Sequence, residues 1–349
     1  MKSQKTHYIP INGIESEVFD KYEFVRHFSE MAYVTVKGIA LLADSQSIIS
    51  RIPDNTIDLI FTSPPFALRR KKRYGNEPAE RYVDWFLQFA GDFRRVLKDT
   101  GSFVIDIGGS WNPGEPTKSL YHHKLLIALV EEAGFHLAQE VFWYNPARLP
   151  SPAQWVCIDR SRLKDAVNWV WWLSKTSRPK ANNKRILTPY KPSQKALVDG
   201  GKYNTGRRPS EHVISDKFGI DNGGAIPSNM VTVDNLISAS NTASSDPYLK
   251  GCKTLGIDPH PARIPAKIPE FFIKFLTEPG DIVLDPFGGS NVTGFIAEQN
   301  NRHWLTIERE PEYLYGSQTR FSDNYDSLKQ NRDRLYDMME IVNDCNSVK

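Results

Sequence analysis

Short apolar runs alternate with stretches of helical periodicity through most of this chain, and that alternation is what most restricts its fold. Residues 57–61 are an apolar run after the turn signal Pro53-Asp54-Asn55 and read as a buried strand. Across 82–97, Val83, Phe86, Leu87, Ala90, Phe93, Val96 and Leu97 recur at helical spacing, and Asp99-Thr100-Gly101 closes that helix. Strands are expected at 102–107, 137–144 and 166–173, with a helix at 121–132. Trp169, Trp171 and Trp172 lie within the last apolar strand and are expected in the core. Such βα alternation folds as a mostly parallel sheet flanked by helices, so the expected class is α/β.

From 175 to 257 the texture changes to Ser, Asn, Gly, Pro and Lys without sustained periodicity, which reads as an inserted irregular region. The rhythm then resumes with a helix over 264–276, a strand over 281–284, a helix over 291–299 and a strand over 303–307. A charged, helical stretch over 311–342 reads as a cover or tail. The expected organisation is therefore 1–174 and 258–316 as two parts of one fold, 175–257 inserted, and 317–349 as a C-terminal helical tail. At 349 residues, with 40% hydrophobic and 24% charged, the chain can bury a sizeable core.

Net charge is +3, which by itself predicts neither a basic nor an acidic partner. Divided by region it says more: 175–257 holds thirteen Lys and Arg against six Asp and Glu, a balance of +7 that leaves −4 for the remainder. The three cysteines, Cys157, Cys252 and Cys345, form no CxxC pair, so neither a disulfide framework nor a zinc module is expected. No apolar stretch is long enough to span a bilayer and no signal-like segment opens the chain. A soluble intracellular protein without membrane contact is expected.

Two motifs carry chemistry. Asp285-Pro286-Phe287-Gly288-Gly289-Ser290-Asn291 joins an expected strand to an expected helix. Two glycines let a ligand approach the backbone, and the following helix start offers N–H groups. Glu308, 23 residues after Asp285, closes the next strand, where a carboxylate can accept from ribose hydroxyls. No Lys follows the glycines and no GxGxxG occurs, so neither a P-loop nor a dinucleotide fingerprint is present. The second motif, Thr62-Ser63-Pro64-Pro65-Phe66, also ends a strand. Its prolines hold the chain extended and donate nothing, leaving carbonyls as fixed acceptors suited to an exocyclic amine, while Phe66 offers a face for a nucleobase. Taken singly, each motif is also compatible with a tight turn that binds nothing.

Together they resemble the amino-methyltransferases that modify DNA with S-adenosylmethionine, which carry an (S/N/D)PP(Y/F) motif and a DPFxGSG-type loop. The order here, with SPPF first, a basic insertion second and the glycine loop last, resembles that family's permuted β group. The likeness extends over residues 34 to 316, through Ala43-Asp44-Ser45, Phe142-Trp143-Tyr144-Asn145-Pro146, residues 165–175 and His260-Pro261-Ala262-Arg263-Ile264-Pro265. One departure is Asn291, which stands where the family has the second glycine of GSG. Asparagine tolerates left-handed backbone, so the turn can survive. The resemblance implies a circularly permuted Rossmann-like methyltransferase fold, S-adenosylmethionine as methyl donor, no metal, and 175–257 as the DNA target-recognition region. It places Asp44 at the adenine of the donor and Glu308 at its ribose, with Ile264, Pro265, Asp285, Phe287, Gly288, Gly289 and Ser290 lining the rest. For Asp44 a plain helix N-cap is the alternative. Asp106, near the end of its strand, is expected as a surface carboxylate.

C5-cytosine chemistry needs a thiolate, in that family within Pro-Cys, whereas Val156, Gly251 and Asp344 precede the cysteines here. An exocyclic amine remains. By resemblance, Ser in the SPP position goes with N4 of cytosine, and Asp or Asn with N6 of adenine, which stays as the alternative. Ser63, Pro64, Pro65 and Phe66 are the expected catalytic residues, acting on a base flipped out of duplex DNA. The run Arg69-Arg70-Lys71-Lys72-Arg73 is placed to meet phosphates. The family also implies a restriction endonuclease as functional partner and a bacterial or archaeal cytoplasm. A structured RNA or protein glutamine substrate, or a DNA-binding module without catalysis, are the other readings.

Overall fold

The computed structural model describes residues 9–11, 16–67, 75–146, 148–201, 206–214, 216–232, 246–330 and 332–338. Its strands are β1 (Ile9–Pro10), β2 (Met31–Val34), β3 (Gly38–Leu42), β4 (Ile57–Thr62), β5 (Leu97–Ile107), β6 (His136–Tyr144), β7 (Val167–Ser174), β8 (Gly206–Arg207), β9 (Val213–Ile214), β10 (Met230–Thr232), β11 (Ile282–Asp285) and β12 (His303–Glu308). The helices are α1 (Val18–Lys21), α2 (Ser45–Ile49), α3 (Tyr82–Val96), α4 (Tyr121–Glu131), α5 (Pro192–Val198), α6 (Pro247–Leu255), α7 (Lys267–Leu276), α8 (Val292–Gln299), α9 (Pro311–Ser317) and α10 (Tyr325–Gln330). None of the described helices is long and apolar enough to cross a membrane.

All strands but β8 and β9 join one sheet in the order β1-β2-β3-β12-β11-β4-β5-β7-β6-β10. From β3 through β5 every neighbouring pair is parallel, and β7 then runs antiparallel between β5 and β6. The sheet is thus mostly parallel and helix-covered, the α/β class expected. Its central strands β3, β12, β11 and β4 are buried on both faces, and the period of two divides their side chains between two cores. Ile60, Ile105, Leu284 and Ile307 pack toward the side carrying Phe86 and Phe93 of α3 and Leu125 of α4. Leu59, Phe61, Val104 and Val283 pack toward the side carrying Phe272 of α7 and Ile296 of α8. Trp171 and Trp172 are buried as expected, and Trp169 is half-buried.

Some element bounds differ from those expected. The strand beginning at 102 reaches back to Leu97, and the helix expected from 264 starts at Lys267, after Pro265. The β2–β3 hairpin and β10 carry no Asn-Gly turn or alternating pattern and gave no clear signal. The region from 175 to 257 is only sparsely regular, with Met230–Thr232 adding to the sheet beside β6. Its first residues run beneath the opposite end of the sheet, where Lys180 Nζ pairs with Asp281 and lies 3.5 Å from buried Asp58.

The connection from β11 to its parallel neighbour β12 goes through α8 on one face, and that from β4 to β5 through α3 on the other. β11 and β4 are adjacent, so the chain diverges between them. In open α/β sheets the crevice at the carboxyl ends of such a pair is where ligands bind. Asp285 closes one of these strands and Ser63 follows the other.

Candidate active site

At the end of β11 Asp285 is buried. Thr62 Oγ1 donates to it at 2.8 Å, Thr293 Oγ1 at 2.6 Å and the Phe287 amide at 3.1 Å. Burial pushes its pKa up to about 6, against those hydrogen bonds. The carboxylate thereby ties the end of β4 to the first turn of α8. The glycines that follow have separate duties. A Cβ on Gly288 would stand 2.2 Å from Thr306 Cγ2, so only glycine fits there. Gly289 sits at φ +51°, and its amide donates to Glu308 Oε2 at 2.7 Å. Glu308 Oε1 accepts from the amides of Arg309 and Glu310 at 2.9 Å each. Burial raises the Glu308 pKa to about 7, opposed by these amides.

Asn291 is left-handed at φ 50°, ψ 44° and caps α8, its Oδ1 accepting from the Gly294 amide at 3.1 Å and Thr306 Oγ1 at 2.7 Å. Its Nδ2 donates to Tyr33 Oη at 2.9 Å. Asp44 caps α2, accepting from the Gln46 amide at 2.9 Å, so the N-cap alternative holds while its side also faces the cleft.

These residues enclose a cleft of about 600 Å³, within the range of small-molecule sites. Asp44, Ile264, Asp285, Phe287, Gly288, Gly289, Ser290 and Glu308 all line it. Pro265 is buried at the head of α7 and is not among the lining residues. A nucleoside sulfonium fits this lining. Glu308 Oε2 takes one described hydrogen bond and has a lone pair left for a hydroxyl, and the Phe287 ring forms an apolar wall with Phe89 at 5.3 Å. His260 also lines the cleft, its Nδ1 accepting from the Ala262 amide, and burial lowers its pKa to about 4, so it stays uncharged. Trp85 and Phe89 carry no sequence signal of their own, because they keep the helical spacing of ordinary core residues, and His260 stands in the matching segment 260–265 without a role assigned to it.

The second motif forms the adjoining wall. Pro64 is buried, while Ser63, Pro65 and Phe66 are half-buried. The Phe66 ring lies where a Cβ on Gly108 would approach it to 2.7 Å, so the residue after β5 must be glycine for the ring to lie there. Ser63 Oγ donates to Asp106 Oδ2 at 2.9 Å. The expectation of a surface carboxylate at Asp106 is overturned: it is 2% exposed. The reason is the sheet order, because β5 is flanked by β4 and β7, and Asn168 of β7 donates to Asp106 Oδ1 at 3.4 Å. Burial, partly offset by Ser63, Asn168 and the charge of Arg148, raises the Asp106 pKa to about 6.

Ser63 and Phe66 also line a smaller hollow of about 210 Å³ with Asp106, Asn168, Arg148 and Trp143. The two hollows therefore meet at the SPPF turn. Asn168 is a functional candidate the sequence could have flagged, being a lone amide inside an apolar strand. The DNA-binding assignment for Arg69, Arg70, Lys71, Lys72 and Arg73 lies outside the described residues.

The DNA methylase family (N6_N4_Mtase) matches residues 57–319. The type II methyltransferase M.PvuII of Proteus hauseri is 49% identical over 295 residues, 84% of this chain and 86% of that protein. M.BglII of Bacillus subtilis is 26% identical over 274 residues, 78% of this chain and 65% of that protein. Among solved structures, the PvuII DNA methyltransferase (cytosine-N4-specific) matches with a TM-score of 0.70 at 41% identity, covering 88% of this chain and 95% of that chain.

Proposed function

This chain belongs to the DNA methylase family, and from that premise we propose that it methylates N4 of a flipped-out cytosine at a specific site in double-stranded DNA. The observation that carries the reading is the meeting of the two hollows at Ser63, whose hydroxyl is already committed to Asp106. The donor, S-adenosylmethionine, supplies an electrophilic methyl group on a sulfonium. In the larger cleft, Glu308 accepts from the ribose, Asp44 faces the adenine, and Phe287, Gly288, Gly289, Ser290, Asp285 and Ile264 complete the wall.

The smaller hollow takes the base. Phe66 lies against its face, which offsets part of the few kcal/mol needed to unstack it. Because the Ser63 hydrogen points at Asp106, the Oγ lone pairs are free to accept from the amine. The Ser63 and Pro64 carbonyls supply further acceptors. Held this way, the amine has its nitrogen lone pair turned out of conjugation and toward the larger cleft. Positioning of this kind supplies much of the acceleration. When nitrogen gains the methyl group it must lose a proton. Ser63 accepts it while passing its own to Asp106, whose pKa near 6 suits a base working at neutral pH.

The reaction protects host DNA from a cognate restriction endonuclease in the cytoplasm of a bacterial or archaeal cell. Region 175–257 reads the target, and the cations at 69–73 hold phosphates. Nucleoside analysis of DNA methylated in vitro tests this: 4-methylcytosine is expected, and 6-methyladenine would refute the assignment. Ser63→Ala should nearly abolish turnover with S-adenosylmethionine binding intact by calorimetry. Retained turnover would remove Ser63 from the mechanism.

A further inference from the structure

The smaller hollow has a second polar wall that methyl transfer leaves unused. Arg148 donates from one terminal nitrogen to Asn168 Oδ1 at 2.9 Å, and Asn168 Nδ2 donates to Asp106 Oδ1. With the bond from Ser63 to Asp106, a continuous polar chain runs across the hollow from the transfer site to Arg148. The direction of these bonds fixes the Asn168 amide, carbonyl toward Arg148 and nitrogen toward Asp106. The loop bearing Arg148 is itself held. Asn145 N donates to the Ala166 carbonyl at 2.7 Å, Lys164 Nζ to the Pro146 carbonyl at 2.8 Å, and Arg148 N to the Asn145 carbonyl at 3.2 Å. A guanidinium has five N–H donors, and the bond to Asn168 uses one.

We propose that Arg148 reads the O2 carbonyl of the flipped cytosine and so sets cytosine against adenine. This rests on the cytosine reading above. Flipped bases are read along their Watson–Crick edge. With the amine at Ser63, the neighbouring ring nitrogen is an acceptor in both bases, N3 of cytosine or N1 of adenine, and cannot tell them apart. The next position can, because cytosine presents a carbonyl and adenine a C–H. Arg148 lines the same hollow as Ser63 and stands at the far end of the polar chain, on the side away from the amine. A half-buried guanidinium facing a C–H would keep a donor unpaired, and sites built to hydrogen-bond a group reject analogues that lack it.

The test uses the full chain and the duplex site found by sequencing its methylated DNA. Three duplexes carry at the target cytosine, adenine, or a 2-aminopyridine C-nucleoside, which keeps the amine and ring nitrogen but has C–H in place of O2. The wild type should methylate the 2-aminopyridine duplex about 10- to 100-fold less efficiently in kcat/KM than the cytosine duplex. Arg148→Ala should lose a similar factor on cytosine, and should then be indifferent to removal of O2. S-adenosylmethionine binding by the variant checks that the larger cleft is intact. Wild-type turnover unaffected by loss of O2 would overturn the proposal without any variant. An Arg148→Ala enzyme that still discriminates by the wild-type factor would also overturn it, while leaving cytosine methylation standing. Formation of 6-methyladenine alone on unmodified DNA would overturn both.

Discussion

In the proposed reaction, Asp106 is the group that sets how methyl transfer responds to pH. The residue is enclosed by Ser63, Asn168 and the nearby charge of Arg148, and burial holds its pKa at about 6, above the ordinary carboxylate value. The carboxylate form, which accepts from Ser63, therefore predominates above pH 6 and is lost as pH falls through that value. With S-adenosylmethionine saturating, kcat should fall about tenfold per pH unit below pH 6, the slope of a single ionisation. Asp106→Asn keeps the shape but can take no proton. It should lower kcat by about 10²- to 10⁴-fold and flatten the acid limb. An acid limb unchanged in Asp106→Asn would assign the ionisation to another group.

Among the elements, the turn from β11 into α8 is held by a residue that departs from the family pattern. Asn291 takes the left-handed conformation a glycine would take, and its side chain then joins three elements, capping α8, bonding Thr306 of β12 and bonding Tyr33 of β2. Restoring the family's glycine would keep the backbone and lose every one of these bonds. Asn291→Gly should therefore destabilise the protein by about 2–4 kcal/mol, from the lost cap and the stranded Thr306 hydroxyl. Urea denaturation measures this. A variant as stable as the wild type would mean that backbone conformation alone fixes the turn. Gly288 shows the opposite constraint, since no side chain fits against Thr306.

For the molecule as a whole, the position of charge matters more than its sum. The +7 of region 175–257 does not all face one partner. Lys175 pairs with Asp99 at 3.2 Å, Arg185 with Glu278 at 3.5 Å, and Lys180 with Asp281 and Asp58. Asp99 is the third residue of β5, Asp58 lies early in β4 and Asp281 just before β11, all at the end of the sheet opposite the cleft. Those cations fasten the inserted region to the sheet. The run at 69–73 begins three residues after Phe66, and its replacement by alanines should reduce the slope of log K for DNA against log salt by up to about 4.5, at roughly 0.9 per phosphate. Lys180→Met should leave that slope unchanged while costing about 1.5–3 kcal/mol of stability. Equal salt slopes for the wild type and the 69–73 variant would place that run away from the DNA backbone.

The sequence by itself determined the class of fold and the two turns that line the cleft, because apolar periodicity, paired prolines and paired glycines are local properties of the backbone. Asp285, Glu308 and Ser63 were recognisable from their places at strand ends. Only the tertiary structure decided that β4 and β11, 223 residues apart at Thr62 and Asp285, lie side by side and bring those ends together. It also decided that β7 folds back beside β5, which buries Asp106 and brings Asn168 to it. Strand neighbours are set by long-range pairing, which leaves no local trace. A carboxylate near a strand end reads the same in sequence whether solvent or another strand stands beside it.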